Sequence, residues 1–263
     1  MKKIKRVTYG KCPLIEVTYQ LNFPTILSIE AEVPVKYQNA IREYFPQYSI
    51  QTEQESEITV NVQGEEVSPV FRQRPTNKIH HFISDDGQWR ITLAKNKLAI
   101  STLKYEQWED MKKRFELPLH AFTEIYNQKY FERIGIRYID AIDRVTLNLT
   151  DVGWSELIKP HLLGCLGLNL KDAFHVKTST VNSEILMEDV SIKISSGLGT
   201  INKGEKIATE VFILDCDYFK IGKIESSKID DIAHELHYKS HVFFRESITD
   251  KLHDAMIPQE IEV

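Results

Sequence analysis

One stretch at the middle of the chain decides the fold, and it reads FERIGIRYIDAIDR from Phe131 to Arg144. Successive side chains of a β-strand point to opposite faces of a sheet. One face of this stretch is nearly all apolar and receives Ile134, Ile136, Tyr138, Asp140 and Ile142. The other face receives Arg133, Gly135, Arg137, Ile139, Ala141 and Asp143. The pattern predicts one long strand with a core-facing side and a second side whose arginines need partners, because an unpaired buried charge is costly.

A second predicted strand, further along the chain, offers those partners. Its alternation places Asp215 and Asp217 next to each other on one face. We expect them to pair with Arg133 and Arg137 across neighbouring strands, together with Glu16, because a carboxylate can accept both arms of a guanidinium. Three interpretations stay open for these five residues: structural ion pairs, a ligand pocket, and a magnesium site at the two aspartates.

The order of elements predicts an α+β protein built from two similar halves, residues 1–128 and 129–263. Each half follows the order strand, helix, three or four antiparallel strands and a long helix. We therefore expect two curved antiparallel sheets with helices packed on one face, as two domains or as one fused domain. The arrangement resembles the duplicated saddle of TATA-binding-protein-like folds or a helix-grip fold, and this likeness of fold carries no function.

Local patterns give three further predictions of secondary structure. The segment 64–78 is polar and holds Pro69 and Pro75, which predicts a loop. Asp151 is a plausible N-cap for a helix through residue 163. The apolar spacing after residue 228 predicts one uninterrupted helix to residue 255.

Three histidines lie on one side of that last helix. His234, His237 and His241 are spaced i, i+3 and i+7, and the last two have the i, i+4 spacing of a metal-binding pair. The sequence specifies no acid or further ligand that would complete a site. The stripe lies at the margin of the apolar face, so packing competes with metal binding as the interpretation.

Composition narrows the class of protein. The net charge is −5 and the pI is about 6.0, which disfavours a nucleic-acid protein that acts by phosphate neutralisation. Arg72, Arg74 and Lys78 still form a local basic cluster that could contact phosphate. The three isolated cysteines favour a reducing cytoplasm over a disulfide framework. No apolar run is long enough for a membrane span.

Several motifs together resemble a known family. They are Pro13 to Val17, Tyr105 with Trp108, Arg133 to Asp140, Leu214 to Tyr218, and His237 followed by Phe244 and Ile248-Thr249. The set is similar to a sporadically distributed family of uncharacterised bacterial proteins of about this length, from which the chain departs at Asp140, where asparagine is expected to be commoner. The resemblance covers nearly the whole chain and implies a cytoplasmic prokaryotic protein without implying an activity. A scattered distribution implies a mobile accessory gene in stress, toxin–antitoxin or phage-defence settings.

The catalytic motifs that sequence can identify are missing: there is no glycine-rich phosphate loop with its lysine and no nucleophile elbow. The leading hypothesis is a non-enzymatic binding or interaction protein with a protein partner or a homo-oligomer, no membrane and no cofactor. One alternative is an enzyme or sensor that holds a phosphorylated or nucleotide ligand, with or without magnesium, in a cleft between the halves. A second alternative is nucleic-acid binding through the first-half basic residues.

Overall fold

The protein is an α+β structure dominated by antiparallel sheet. The computed structural model describes residues 7–63, 66–168, 176–202, 204 and 208–260, with the backbone alone for residues 53–76. The strands are, in chain order, β1 (Val7–Tyr9), β2 (Leu14–Asn22), β3 (Gln47–Gln63), β4 (Glu66–Ile83), β5 (Trp89–Ala94), β6 (Lys97–Thr102), β7 (Tyr130–Ile142), β8 (Thr180–Met187), β9 (Val190–Ile201), β10 (Thr209–Glu225) and β11 (Pro258–Glu260).

Nine of these strands form one continuous sheet in the order β3-β4-β5-β6-β2-β7-β10-β9-β8. Every neighbouring pair in it is antiparallel. The strand predicted from the central stretch is β7, which lies between β2 and β10. Its position explains its sequence, because a strand with partners on both sides and a core on one face needs apolar residues at alternate positions. The remaining two strands, β1 and β11, form a small separate ladder.

The helices are α1 (Leu27–Ala31), α2 (Val35–Ile41), α3 (Trp108–Tyr126), α4 (Ile229–Ser247) and α5 (Asp250–Ala255). The two long helices carry apolar residues at helical spacing and bury them against the sheet; one hydrophobic cluster contains Phe115 of α3, Leu236 of α4 and Ile136 of β7. None of the helices in the described part of the chain combines the length and the apolar character that a membrane span requires. The division into residues 1–128 and 129–263 stays a prediction.

The loop predicted over residues 64–78 is wrong, because β4 begins at Glu66 and pairs with β3 along nearly its whole length. The prolines that indicated a loop lie where a strand tolerates them. β4 pairs with β5 only from Ile79 to Ile83, so Pro69 and Pro75 each have a neighbour on one side only. Pro75 also lies next to a register shift. Proline cannot donate to a ladder, and such one-sided or irregular positions do not require it to. Of the basic cluster, the side chains of Arg72 and Arg74 lie outside the described residues.

Two predicted helices are also interrupted. The segment after Asp151 forms three short 3-10 helices, Trp154–Glu156, Pro160–Leu162 and Gly164–Gly167. Pro160 cannot donate within a helix, and Gly164 takes a left-handed conformation (φ +51°). The last helix breaks at Ile248, which is extended, and α5 restarts with the Thr249 side chain as its N-cap.

Candidate functional site

The four charged residues predicted to meet do meet, across β7 and β10. The Arg133 Nη2 atom donates to both carboxylate oxygens of Asp217 at 2.7 and 2.6 Å. Arg137 donates from Nε and Nη2 to the two oxygens of Asp215 at 2.7 and 2.5 Å. Those hydrogen bonds raise the pKa of Arg137. The predicted arginine–aspartate pairing is therefore confirmed as geometry.

A glycine makes one of these pairs possible. Arg133 lies two residues before Gly135 on the same face of β7, and a Cβ atom at residue 135 would overlap its guanidinium. Without that Cβ there is room for the guanidinium in its observed position, 4.4 Å from the centre of the Phe219 ring and within hydrogen-bond distance of Asp217. Gly135 therefore accommodates both the ion pair and the cation–π contact.

This charged face of the sheet is open to solvent rather than sealed. The side chain of Arg137 is 49% exposed, and those of Arg133, Asp215 and Asp217 are between 20% and 28% exposed. Arg137, Asp215 and Asp217 border a shallow cleft of about 520 Å³ that β8 and β9 also line. Glu16 lies further along the face, where its Oε1 atom is 3.8 Å from Arg90. Both guanidinium groups are thus already paired with a carboxylate.

The three predicted histidines do not share one environment. His234 is exposed, whereas His237 and His241 line a cavity beneath α4. Among the described residues, the one cluster of three or more potential metal ligands consists of Glu188, Asp189 and Glu235, and it contains no histidine.

That acidic cluster already holds two lysines. Lys220 Nζ donates to Asp189 at 2.5 Å and to Glu235 at 2.7 Å, and Lys239 Nζ donates to Glu188 at 2.6 Å. We call these five residues the α4 ion cluster. Its charges are nearly balanced within the cluster, so its geometry favours structural ion pairing over metal binding.

The best-formed cavity lies between the core face of the sheet and α4. Its volume is about 330 Å³, and β1, β2, β7, β10, α4 and the segment before α3 all contribute to its wall. We call it the α4 cavity. Volumes of about 300–1,000 Å³ are usual for small-molecule sites, which are mostly apolar with a few polar groups. The α4 cavity has that character.

Asp140 is a buried acid in the wall of this cavity. It lies on the core face of β7, opposite Leu14 of β2 and Leu214 of β10, and it is only 5% exposed. Within the described part of the chain, no hydrogen bond or ion pair reaches its carboxyl group. Burial raises the pKa of Asp140 to about 8. The group is thus a carboxyl that changes protonation state in the neutral range, in the wall of a partly open cavity.

An ordered aromatic layer adjoins Asp140. His237 stacks on Trp108 with ring centroids 5.2 Å apart and planes 13° from parallel, and its Nδ1 atom lies 2.9 Å from the Tyr138 hydroxyl. Tyr138 also meets Tyr105 and Tyr218 edge to face. These contacts fix the ring positions, so the wall of the cavity is preorganised.

The small β1–β11 ladder closes one side of the cavity. Gly10 and Lys11 continue it by donating their backbone N–H groups to the carbonyls of Ile257 and Met256. The Tyr9 hydroxyl lies 2.9 Å from His253 Nδ1, and its ring packs edge to face on Phe244 of α4. Burial raises the pKa of Tyr9 to about 12. Tyr9 therefore joins both ends of the described chain to the cavity wall.

Two cysteines line the same cavity, but neither is activated. Burial raises the pKa of the Cys216 thiol and, to a smaller extent, that of Cys12. A raised pKa keeps the thiol protonated and lowers its nucleophilicity at neutral pH.

Sequence reasoning placed Asp140 on the apolar face of β7 but assigned it no role. The available signal was the single acid within an otherwise apolar alternation, because a carboxyl at a core position is rarely tolerated without a partner or a function. Comparison of the sequence with protein-family models and with curated proteins gave no match.

Proposed function

We propose that this protein is a non-enzymatic binding protein that takes a small, largely apolar ligand into the α4 cavity. The observation that carries the proposal is the buried carboxyl of Asp140, which lines a partly open cavity of about 330 Å³ and has no hydrogen-bond partner among the described residues. A buried polar group without a partner costs stability. A ligand that supplied the missing partner would recover that cost.

The same wall supports binding over catalysis. Catalysis by a cysteine needs a thiolate and a base within reach, and burial keeps both cavity cysteines protonated. The Nδ1 atom of His237 is already engaged with the Tyr138 hydroxyl. What remains is a preorganised aromatic enclosure around one carboxyl group, which suits recognition.

The open charged face supports the alternative of a phosphorylated or nucleotide ligand less well. A phosphate would have to displace Asp215 and Asp217 from the arginines that hold them. The cleft is also shallow and mixed in charge, since Glu184 and Lys193 line it too. Nucleic-acid binding stays an alternative that the net charge of −5 disfavours.

Other predictions from the sequence enter the proposal unchanged. We propose a cytoplasmic bacterial protein of the sporadically distributed family named above, with a role in stress, toxin–antitoxin or phage-defence settings. The strand order supports a pseudo-duplication, since β2 and β7 lie side by side at the centre and the later strands of each half extend outwards.

The proposal of a protein partner or a homo-oligomer is tested by size-exclusion chromatography with light scattering. A monomer from which no partner can be recovered would count against it.

Ligand binding is tested with a library of small apolar fragments that includes cations, anions and neutral compounds. Binding is measured by saturation-transfer NMR and by the shift in melting temperature. Ser240 lines the cavity, so Ser240→Leu should fill part of it while keeping α4, because leucine forms helix better than serine. Tyr238→Leu is the matched control, because Tyr238 lies on the same helix and is 50% exposed. Fragments should bind the wild type and the control but not Ser240→Leu; no binder, or equal binding to all three proteins, refutes the proposal.

A further inference from the structure

The wall of the α4 cavity has a one-sided charge. It contains two acids, the buried Asp140 and the exposed Glu106 at its rim, and among the described residues that line it there is no lysine or arginine. Lys104 lies 3.9 Å from Glu106 and balances the rim acid. The positive charge of Arg245 acts to lower the pKa of Tyr9 in the β1–β11 ladder. Arg245 is itself paired with Asp250. Among the cavity-lining residues that the structure describes, Asp140 is therefore the acid without a compensating cation.

We infer that the ligand of the α4 cavity is an organic cation, a protonated amine on an apolar body, with the Asp140 carboxylate as its counter-ion. This inference rests on the proposed function and names its ligand class. A bound ammonium would place its N–H donors on a carboxyl that has no other partner in the described structure. Charge-assisted hydrogen bonds of this kind are about twice as strong as neutral ones.

The aromatic wall favours the same ligand class. The rings of Tyr9, Tyr105, Tyr138, Tyr218 and Phe244 line the cavity, and their faces attract cations when water is excluded. They also supply apolar surface for the body of the ligand. An anion would meet like charge at Asp140 or require that group to stay protonated, and a neutral alcohol would gain only an ordinary hydrogen bond.

Ligand binding and proton release should be coupled at this site. Burial keeps Asp140 largely protonated at pH 7, and a cation beside it favours the carboxylate. Other titratable groups also line the cavity. They are Tyr9 from β1, Cys12 from the β1–β2 turn, Tyr105 and Glu106 from the segment before α3, Tyr138 from β7, Cys216 and Tyr218 from β10, and His237 and His241 from α4. An ordinary histidine, whose pKa is about 6.5, is still about one quarter protonated at pH 7, so the comparison with Asp140→Asn at each pH separates the contribution of Asp140 from that of the two histidines.

Three probes of one shape separate the charge classes: 2-phenylethylamine, 2-phenylethanol and phenylacetate. Their affinities are measured by saturation-transfer NMR and isothermal calorimetry on the wild type, Asp140→Asn and Asp85→Asn; Asp85 is an exposed acid outside the cavity lining. The amine should bind the wild type best and lose about tenfold or more in affinity to Asp140→Asn. The alcohol should change less than about threefold, and Asp85→Asn should leave all three affinities nearly unchanged.

The pH dependence gives a second readout that does not rely on folding of the variant. Amine affinity for the wild type should rise about tenfold between pH 7 and pH 9, as Asp140 ionises. The alcohol should show no such rise, and Asp140→Asn should remove it from the amine. Binding that prefers the alcohol or the phenylacetate, or amine binding that is independent of Asp140 and of pH, overturns the cation inference while leaving a ligand-binding protein. Absence of binding by every fragment overturns the proposed function itself.

Discussion

The titration of Asp140 predicts a stability that falls as the pH rises. Its folded pKa is about 8, against an ordinary value of 3.8. Below the ordinary value the group is neutral in both the folded and the unfolded chain, so it contributes no pH dependence there. Between the two values the folded protein keeps a proton that the unfolded chain releases. The free energy of unfolding therefore decreases by about 1.4 kcal/mol for each pH unit, and the decrease ends as the pH passes the folded pKa.

The size of the effect follows from that interval. From pH 5 to pH 8 the contribution of Asp140 should fall by on the order of 4 kcal/mol. The side chain is only 5% exposed, so little of this is lost to solvent screening. The amide that Asp140→Asn introduces cannot ionise. The advantage of this variant over the wild type should therefore grow by several kcal/mol across this range, whatever fixed effect the amide has on packing.

The assay is urea unfolding of the wild type and Asp140→Asn at pH 5, 6.5 and 8, followed by tryptophan fluorescence. Asp85→Asn, in the exposed turn between β4 and β5, is the control for removal of an acidic charge, and its difference from the wild type should stay nearly constant. The difference between the wild type and Asp140→Asn at each pH isolates Asp140 from every other titrating group. Parallel curves for these two proteins would refute the buried, unpaired carboxyl, and with it the basis for the ligand site.

Three further predictions concern the charged clusters outside the cavity. Arg137→Ala should lower the free energy of unfolding by less than about 1 kcal/mol, because its side chain is half exposed; a loss of about 3 kcal/mol or more in urea would mean that its ion pair is sealed from water. Arg133→Ala should cost more, about 1–2 kcal/mol, since it also removes the contact with the Phe219 ring. Magnesium or zinc should leave the melting temperature unchanged, because the two lysines of the α4 ion cluster already pair with its three acids; a saturable rise that EDTA reverses would contradict this.

The sequence predicted β7 and its two faces well because both depend on a local period of two. The same period put Asp215 and Asp217 opposite the arginines, and the pairs form as expected. Their exposure could not be predicted, since it depends on whether any other element covers that face. The expectation that Arg137 sits in a buried pair was therefore the part that failed.

Other local predictions failed where a distant partner overrides a local signal. Taken alone, Pro69 and Pro75 indicate a loop. Residues 66–83 nevertheless form a strand, because β3 pairs with them along one side and β5 reaches only residues 79–83 on the other. Helical spacing continues past residue 247, yet the backbone turns at Ile248. There Ile248 forms a bridge with Ile158, and the Thr249 N–H donates to Leu157. In each case the deciding hydrogen bonds come from residues far away in sequence.

For the same reason, the central stretch from Phe131 to Arg144 predicted the strand correctly but did not predict the candidate site. Alternation assigned Asp140 to the apolar face, and a single acid there adds little to a pattern that four apolar or aromatic neighbours already determine. Its meaning depends on the opposite wall, where α4, β1 and the segment before α3 bring rings and no cation to the described lining. In a solid core, a carboxyl at this position would only lower stability, because burial disfavours the group and no partner could compensate it. In a cavity with aromatic walls, the same carboxyl would be able to distinguish a cationic ligand from a neutral one, as the inferred ligand class requires.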